Sequence, residues 1–266
     1  MLKTEIIYLS FLIQLYNMLE INLVLTDIDG TLVQPEAQFA SKEVISSLRE
    51  AELRGIKFAA VTGRPFRMAK DLMKTIGFHD PCVFDGGATI INPETEEVLW
   101  AKTIPAETTK YIVEKLGKYA FKIDFGNGMV NPDDINISEI SKPTLSIWAS
   151  VLAEHANDII ESFGNLPGVA IHANVGPGGD YKLTGIQATH IEADKEHAVN
   201  ELLSLIGIDR QHTLAIGDGD NDLPLFNVAK VKVAMGNSSE ILKAKSNHIV
   251  ASVYDDGFAE AIRSFT

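Results

Sequence analysis

Asp27-Ile28-Asp29-Gly30-Thr31 places two carboxylates two residues apart, directly after the apolar run Ile21 to Thr26. Such a run is the pattern of a buried parallel strand that stops at a polar loop. The same punctuation recurs where Ile56 to Val61 meets Thr62-Gly63-Arg64-Pro65, and where Thr213 to Ile216 meets Gly217-Asp218-Gly219-Asp220-Asn221-Asp222. Ligands of an open parallel sheet bind beyond the carboxyl ends of its strands, so these segments are expected to share one rim. Asp27, Asp29, Asp218 and Asp222 would repel one another there unless a cation sat among them. An all-oxygen set suits magnesium, Mg2+, which keeps several waters and leaves room for a substrate phosphate. A phosphoryl group on that ion is polarised and approachable by an anion. Asp27 can then attack phosphorus, giving an acyl phosphate that water cleaves. Asp29 is expected to protonate the leaving alcohol and then deprotonate the water. Strand alternation puts both side chains on one face if the backbone stays extended to Asp29. Thr62 can donate to a phosphoryl oxygen, and Lys195, opening a later helix, can neutralise developing charge.

The elements that must position these residues follow an α/β rhythm. Ser41 caps a helical spacing at Val44, Ile45, Leu48 and Leu53, closed by Gly55; a helix from Phe66 to Ile76 precedes a strand at Cys82 to Phe84 and a turn at Asp85-Gly86-Gly87. Helices at 196–205, 223–229, 239–244 and 256–265 alternate with strands at 213–216, 231–235 and 248–251. That alternation implies right-handed crossovers and a Rossmann-like parallel sheet covered on both faces. Between them, strands at 98–103, 121–125, 144–151, 169–174 and 181–184 cluster around helices at 107–116 and 153–163. We expect an inserted α+β cap domain at 93–185, hinged near Asn92 and Gly185, within a discontinuous core of 21–92 and 186–266.

With 23 Lys and Arg against 36 Asp and Glu, the formal charge of −13 repels phosphate backbones and anionic lipid. Neither nucleic acid nor a membrane is an expected partner; a small phosphorylated metabolite is, with the chain a monomer or a homodimer. One cysteine, Cys82, allows no internal disulfide and fits a cytoplasmic setting; its apolar neighbours make it a buried thiol. The apolar segment Ile6 to Leu15 is too short to span a bilayer, which takes about 20 residues. It is read as an extra helix or as an over-extended start, within an N-terminal extension, 1–20, and Met18 is expected to open the functional protein.

The four motifs, in this order and at strand ends, resemble the haloacid dehalogenase superfamily, in the subgroup of phosphatases whose cap is inserted after the third strand. Asp27 to Thr31 resembles its nucleophile motif, Val61 to Pro65 its second, Asp194-Lys195 its lysine and Gly217-Asp218 with Asn221-Asp222 its acidic loop. The resemblance implies that Asp218 binds metal directly, Asp222 holds metal-bound water, Asp27 gives a carboxylate oxygen and Asp29 mainly its backbone carbonyl. It also implies substrate contacts from Gly63, Arg64, Asn221 and Asn237; Arg64 can bind the substrate or pair with a rim carboxylate, and a structural and electrostatic role shared with substrate contact is favoured. Many relatives carry Asn-Gly-Ala after the third strand; here Gly86-Gly87-Ala88 follows Asp85, and Gly236-Asn237 is expected to replace part of the missing contact.

Other motifs fall away. Asp218, Asp220 and Asp222 have calcium-loop spacing, but Leu223 and Ala229 stand where an EF-hand needs Gly and Glu. Gly126-Asn127-Gly128 lacks the third glycine of a dinucleotide fingerprint, and the seven histidines show no zinc spacing. His190 lies close to Lys195 in sequence. Pro177-Gly178-Gly179-Asp180 reads as a cap loop. Hydrolysis of a phosphomonoester is therefore the expected activity. A phosphomutase of the same fold and a non-catalytic sensor of a phosphorylated ligand are the alternatives, the latter disfavoured by a nucleophile beside a proton donor.

Overall fold

A computed structural model describes residues 21–35, 37, 39–117, 119–126, 128–175 and 182–266. The expected N-terminal helix, Asn127 and the Pro177 to Asp180 loop lie outside the described residues. The described residues of 21–99 join Lys195–Thr266 in one compact unit, and those of Trp100–Asp194 form a second.

In chain order the first unit contributes β1 (Leu23–Thr26), α1 (Lys42–Glu52), β2 (Lys57–Ala60), α2 (Phe66–Ile76), β3 (Cys82–Phe84), β4 (Thr89–Ile91) and β5 (Val98–Ala101), whose end passes into the second unit. The second unit carries α3 (Ala106–Leu116), β6 (Ala120–Asp124), β7 (Met129–Val130), β8 (Ser146–Leu152), α4 (Ala156–Phe163), β9 (Val169–Val175) and β10 (Leu183–His190). The chain returns through α5 (Lys195–Ile206), β11 (Thr213–Gly217), α6 (Leu223–Val228), β12 (Val231–Ala234), α7 (Glu240–Lys245), β13 (His248–Ile249) and α8 (Gly257–Phe265).

The core sheet runs β13-β12-β11-β1-β2, parallel throughout, and a Val61 to Val83 bridge brings β3 alongside β2. Every residue of β1 is buried, which is why the run lacks hydrophobic alternation: helices cover both faces of the sheet. Val24, Phe58, Leu214 and Ile216 belong to one core with Val44, Leu48 and Ala51 of α1. Each such side chain, fully buried, stabilises by about 1.5–3 kcal/mol. Ser41 caps α1, its Oγ accepting the Val44 N–H at 3.1 Å. Register sets the rim. Thr26 stands opposite both Ile216 and Ala60, so the chain leaves all three strands at one level and delivers Asp27, Gly217-Asp218 and Val61-Thr62 together.

The second unit is an α+β domain whose antiparallel sheet runs β7-β6-β8-β10-β9. Phe121, Ile123, Ile147, Ala149, Ile186 and Ala188 pack with Ile112, Val113 and Leu116 of α3 and Ile159 and Phe163 of α4. Here the sequence boundaries needed correction. β10 runs on to His190, and Gly185, expected near a hinge, pairs in mid-strand with Ser150 and Asn174. A glycine between two flanking strands keeps its ladder and does not break the element. β4 and β7 were missed because three and two residues show no period. The Asp85 to Gly87 turn is built on left-handed backbone, with φ of 55°, 70° and 111°. Glycine at 86 and 87 meets that demand, and Asp85 is fixed there by the Thr89 hydroxyl, which donates to Asp85 Oδ2 at 3.0 Å.

Candidate active site

Asp27 leaves β1 with only 5% of its surface exposed. Lys195, the first residue of α5 and equally buried, donates from Nζ to Asp27 Oδ1 at 2.8 Å and to Asp222 Oδ1 at 2.7 Å. Asp222 is fully buried, and its second oxygen accepts the N–H groups of Asp218 at 3.0 Å and Gly219 at 3.1 Å. That carboxylate therefore shapes the loop carrying Asp218. A Cβ on Gly217 would lie 2.6 Å from Asp222 Cβ, so glycine is what admits the close approach. Asp218 is held by the Thr31 hydroxyl, which donates to its Oδ1 at 3.0 Å. Gly30 sits at φ 80°, and a Cβ there would meet Asp218 Oδ2 at 2.2 Å.

Asp29 is held differently. β1 ends at Thr26, and residues 28–33 fold into a tight turn in which Leu32 and Val33 both donate to the Ile28 carbonyl at 3.0 Å. The alternation argument for Asp29 thus fails, because no strand reaches it. Its carboxylate is instead forked by Arg64, Nε to Oδ2 at 2.7 Å and Nη2 to Oδ1. Of the two roles open to Arg64, pairing with a rim carboxylate is the one observed. The pairing raises the pKa of Arg64, principally through the hydrogen bond to Asp29. Thr62 is buried, and its hydroxyl oxygen accepts the Arg64 N–H at 3.1 Å, which leaves the hydroxyl proton to donate.

A cleft of about 360 Å³ is lined by Asp27, Asp29, Thr62, Gly63, Arg64, Pro65, Met68, Asp218, Gly219 and Asn221. Seven sequence-predicted residues thus share one space. Lys195, Asp222 and Asn237 stand outside that lining. Asn237, expected at the substrate, spends its amide on the protein: Nδ2 donates to the Gly30 carbonyl at 2.9 Å and to Asp218 Oδ2 at 3.4 Å, and Oδ1 accepts the Val253 N–H at 2.8 Å. The packing roles of Thr31, Gly30 and Gly217 and the lining by Met68 were not foreseen; hydroxyl and glycine flanking a strand-end acid were the signals available. A larger depression, about 930 Å³, lies within the second unit along Lys122 and Trp148 and gathers none of these motifs.

The charges do not balance. Four carboxylates face two cations, Lys195 and Arg64, leaving a formal −2 at the rim. Oxygens of Asp27, Asp218 and Asp222 lie within 4.8 Å of one another. Two unit charges at that separation repel by about 3.5 kcal/mol at an effective dielectric of about 20. Burial, partly offset by Lys195 and reinforced by Asp222 and Asp218, pushes Asp27 up to about 7. Burial likewise pushes Asp218 up to about 6, against the Thr31 hydrogen bond. Burial alone would lower the Lys195 pKa; Asp27 and Asp222 together raise it, so the ammonium stays charged. An excess of two negative charges on hard oxygen donors fits a divalent cation, with Asp27 and Asp218 the carboxylates best placed to hold it. Asp222 is already occupied by Lys195 and two backbone donors, which fits it to support rather than direct ligation.

A parallel sheet with an acid-rimmed cleft at its carboxyl edge, its chain interrupted from β5 by an α+β insertion, defines an α/β enzyme with an inserted domain. The model of the haloacid dehalogenase-like hydrolase family matches residues 24–140 and 130–262, and the chain belongs to that family. The phosphoglycolate phosphatase of Methanopyrus kandleri is 27% identical over 242 residues, spanning 91% of this chain and 96% of its own length. A Bacillus subtilis 5-amino-6-(5-phospho-D-ribitylamino)uracil phosphatase is 25% identical over 251 residues, 92% of this chain and 95% of that protein. Among solved structures, a haloacid dehalogenase-like hydrolase from Bacteroides thetaiotaomicron superposes with a TM-score of 0.78 at 23% identity, over 93% of this chain and 100% of the other. A subclass IIB sugar phosphatase gives 0.73 at 23% identity, over 92% and 98%. The expected core with its inserted cap is thereby established as the fold.

Proposed function

We propose that the chain is a magnesium-dependent phosphatase of small phosphomonoesters, working through an aspartyl-phosphate on Asp27. The observation that carries this reading is Asp27 itself, which lines the cleft while Lys195 fixes its Oδ1 at 2.8 Å. Relatives named for phosphoglycolate, a ribityl phosphate and sugar phosphates support the substrate class.

Asp27 attacks phosphorus and the bond to the alcohol oxygen breaks; Asp29 supplies the proton that leaves with the alcohol. Asp29 then takes a proton from water, whose oxygen attacks phosphorus, releases phosphate and restores Asp27. Lys195 keeps Asp27 oriented through both steps, and Thr62, Gly63 and Asn221 line the space assigned to the phosphoryl oxygens. When bound, Mg2+ held by Asp27 and Asp218 supplies charge neutralisation and phosphoryl polarisation. The buried Cys82, pushed up to about 12 by burial, is inert in this scheme and suits the cytoplasmic setting we assign.

The test is phosphate release from a panel of phosphorylated metabolites with magnesium. Asp27→Asn is expected to abolish turnover, at least ~10⁴-fold, with the fold intact by circular dichroism. Near-normal release by that variant would reject the mechanism. Stoichiometric phosphate release separates hydrolysis from mutase chemistry, which returns the group to its sugar.

A further inference from the structure

We propose that Arg64 serves the reaction through Asp29, as the positioning residue of the proton-transfer carboxylate, and not as a grip on the phosphoryl group. The inference rests on the phosphatase reading above, in which Asp29 moves the proton. Its ground is the fork itself: two guanidinium nitrogens on two carboxylate oxygens, at 2.7 Å for Nε to Oδ2. Such a fork fixes both the direction and the rotation of a carboxylate, which one ammonium point charge cannot do.

Asp29 needs that support. It lies past the end of β1 on a turn, and its side chain is 39% exposed against 15% for Arg64. An exposed carboxylate on a turn samples several rotamers; one forked by a half-buried guanidinium does not. Arg64 is tied into its turn by backbone hydrogen bonds. Its N–H is held by Thr62 Oγ1 at 3.1 Å, its carbonyl accepts the Asp85 N–H at 3.1 Å, and Gly86 N–H donates to the Thr62 carbonyl at 3.0 Å. The loop after β3 thereby braces the loop after β2, which aims the arginine at the loop after β1.

The experiment uses leaving groups. An alkyl phosphate from the panel that the chain hydrolyses needs a proton on its departing oxygen, and p-nitrophenyl phosphate does not. In kcat/KM, which reports steps up to departure of the alcohol, Arg64→Ala is expected to reduce the alkyl ester ~10²-fold, at least ~10-fold more than the aryl ester. Arg64→Lys should show the same selective loss and carries the test if Arg64→Ala does not fold. In an Asp29→Asn background, adding Arg64→Ala is expected to cost less than ~3-fold more, because the group it positions is gone. Equal losses on both esters, or a full further loss in the Asp29→Asn background, would overturn the inference and assign Arg64 to the phosphoryl group. Failure of the phosphatase reading shows separately, as turnover surviving Asp27→Asn.

Discussion

Removing divalent cations with EDTA leaves the acid cluster to its own repulsion, and pH reads the consequence. An ordinary Asp titrates near 3.8, and burial holds Asp27 at about 7 in the folded chain. Between those values the native state binds a proton that the unfolded state has lost. Stability must therefore fall as pH rises through this window, and it levels off above about 7. For a carboxyl exposed by 5%, integration from pH of about 5 to about 7.5 gives a loss on the order of 2–3 kcal/mol. Asp218, pushed up to about 6, adds a contribution of the same sign that solvent at its less buried carboxyl reduces. Urea denaturation in EDTA across that range measures the slope. Asp27→Asn, whose amide does not titrate, should lose most of it and should match or exceed the native protein at the upper end. Magnesium at about 100 times its dissociation constant should return about 2.7 kcal/mol to the native chain at that pH. A metal-free native protein whose stability is flat or rises over the window, with Asp27→Asn behaving alike, would refute the charge imbalance on which the metal assignment rests.

Lys195→Met leaves Asp27 and Asp222 buried without the cation that bridges them at 2.8 and 2.7 Å. It should destabilise by about 3–5 kcal/mol in urea denaturation at neutral pH and abolish turnover. Gly30→Ala meets φ 80° and a Cβ 2.2 Å from Asp218 Oδ2, whereas Gly55→Ala meets φ 87° with nothing within 4 Å. Both should lose about 1 kcal/mol from the left-handed backbone, but only Gly30→Ala should weaken magnesium binding in a calorimetric titration, at least ~10-fold.

The core was legible because its signals are local and repeated. An apolar run ending in Asp, Thr-Gly-Arg or Gly-Asp is a short stretch of chain, and parallel register converts several such stretches into one rim without further information. Type and position alone therefore place Asp27, Asp218 and Thr62 at one rim, where the structure has them. The second unit was harder to bound. Gly185 looks like a break to any reading along the chain, and only its neighbours Ser150 and Asn174 make it an interior strand residue.

What the residues do to one another was far less legible, and the reason is distance. Thr31 reaches Asp218 across 187 residues and Asn237 reaches Gly30 across 207. No spacing rule operates over such separations. Asn237 shows the consequence: an amide beside a glycine in a late loop suggests a ligand contact, yet its oxygen and nitrogen are both engaged by backbone and by Asp218. Arg64 shows the converse, since a cation lining the cleft suggests a phosphate grip until a carboxylate on a neighbouring loop pairs with two of its nitrogens. The strand ends decide which groups meet, and competition among those groups for partners decides what each one does. Asp27 lines the cleft while Lys195 is shared between it and Asp222, and Asp218 suits the ligand role proposed for it because, among the described residues, a hydroxyl and a distant amide are the side chains that hold its carboxylate.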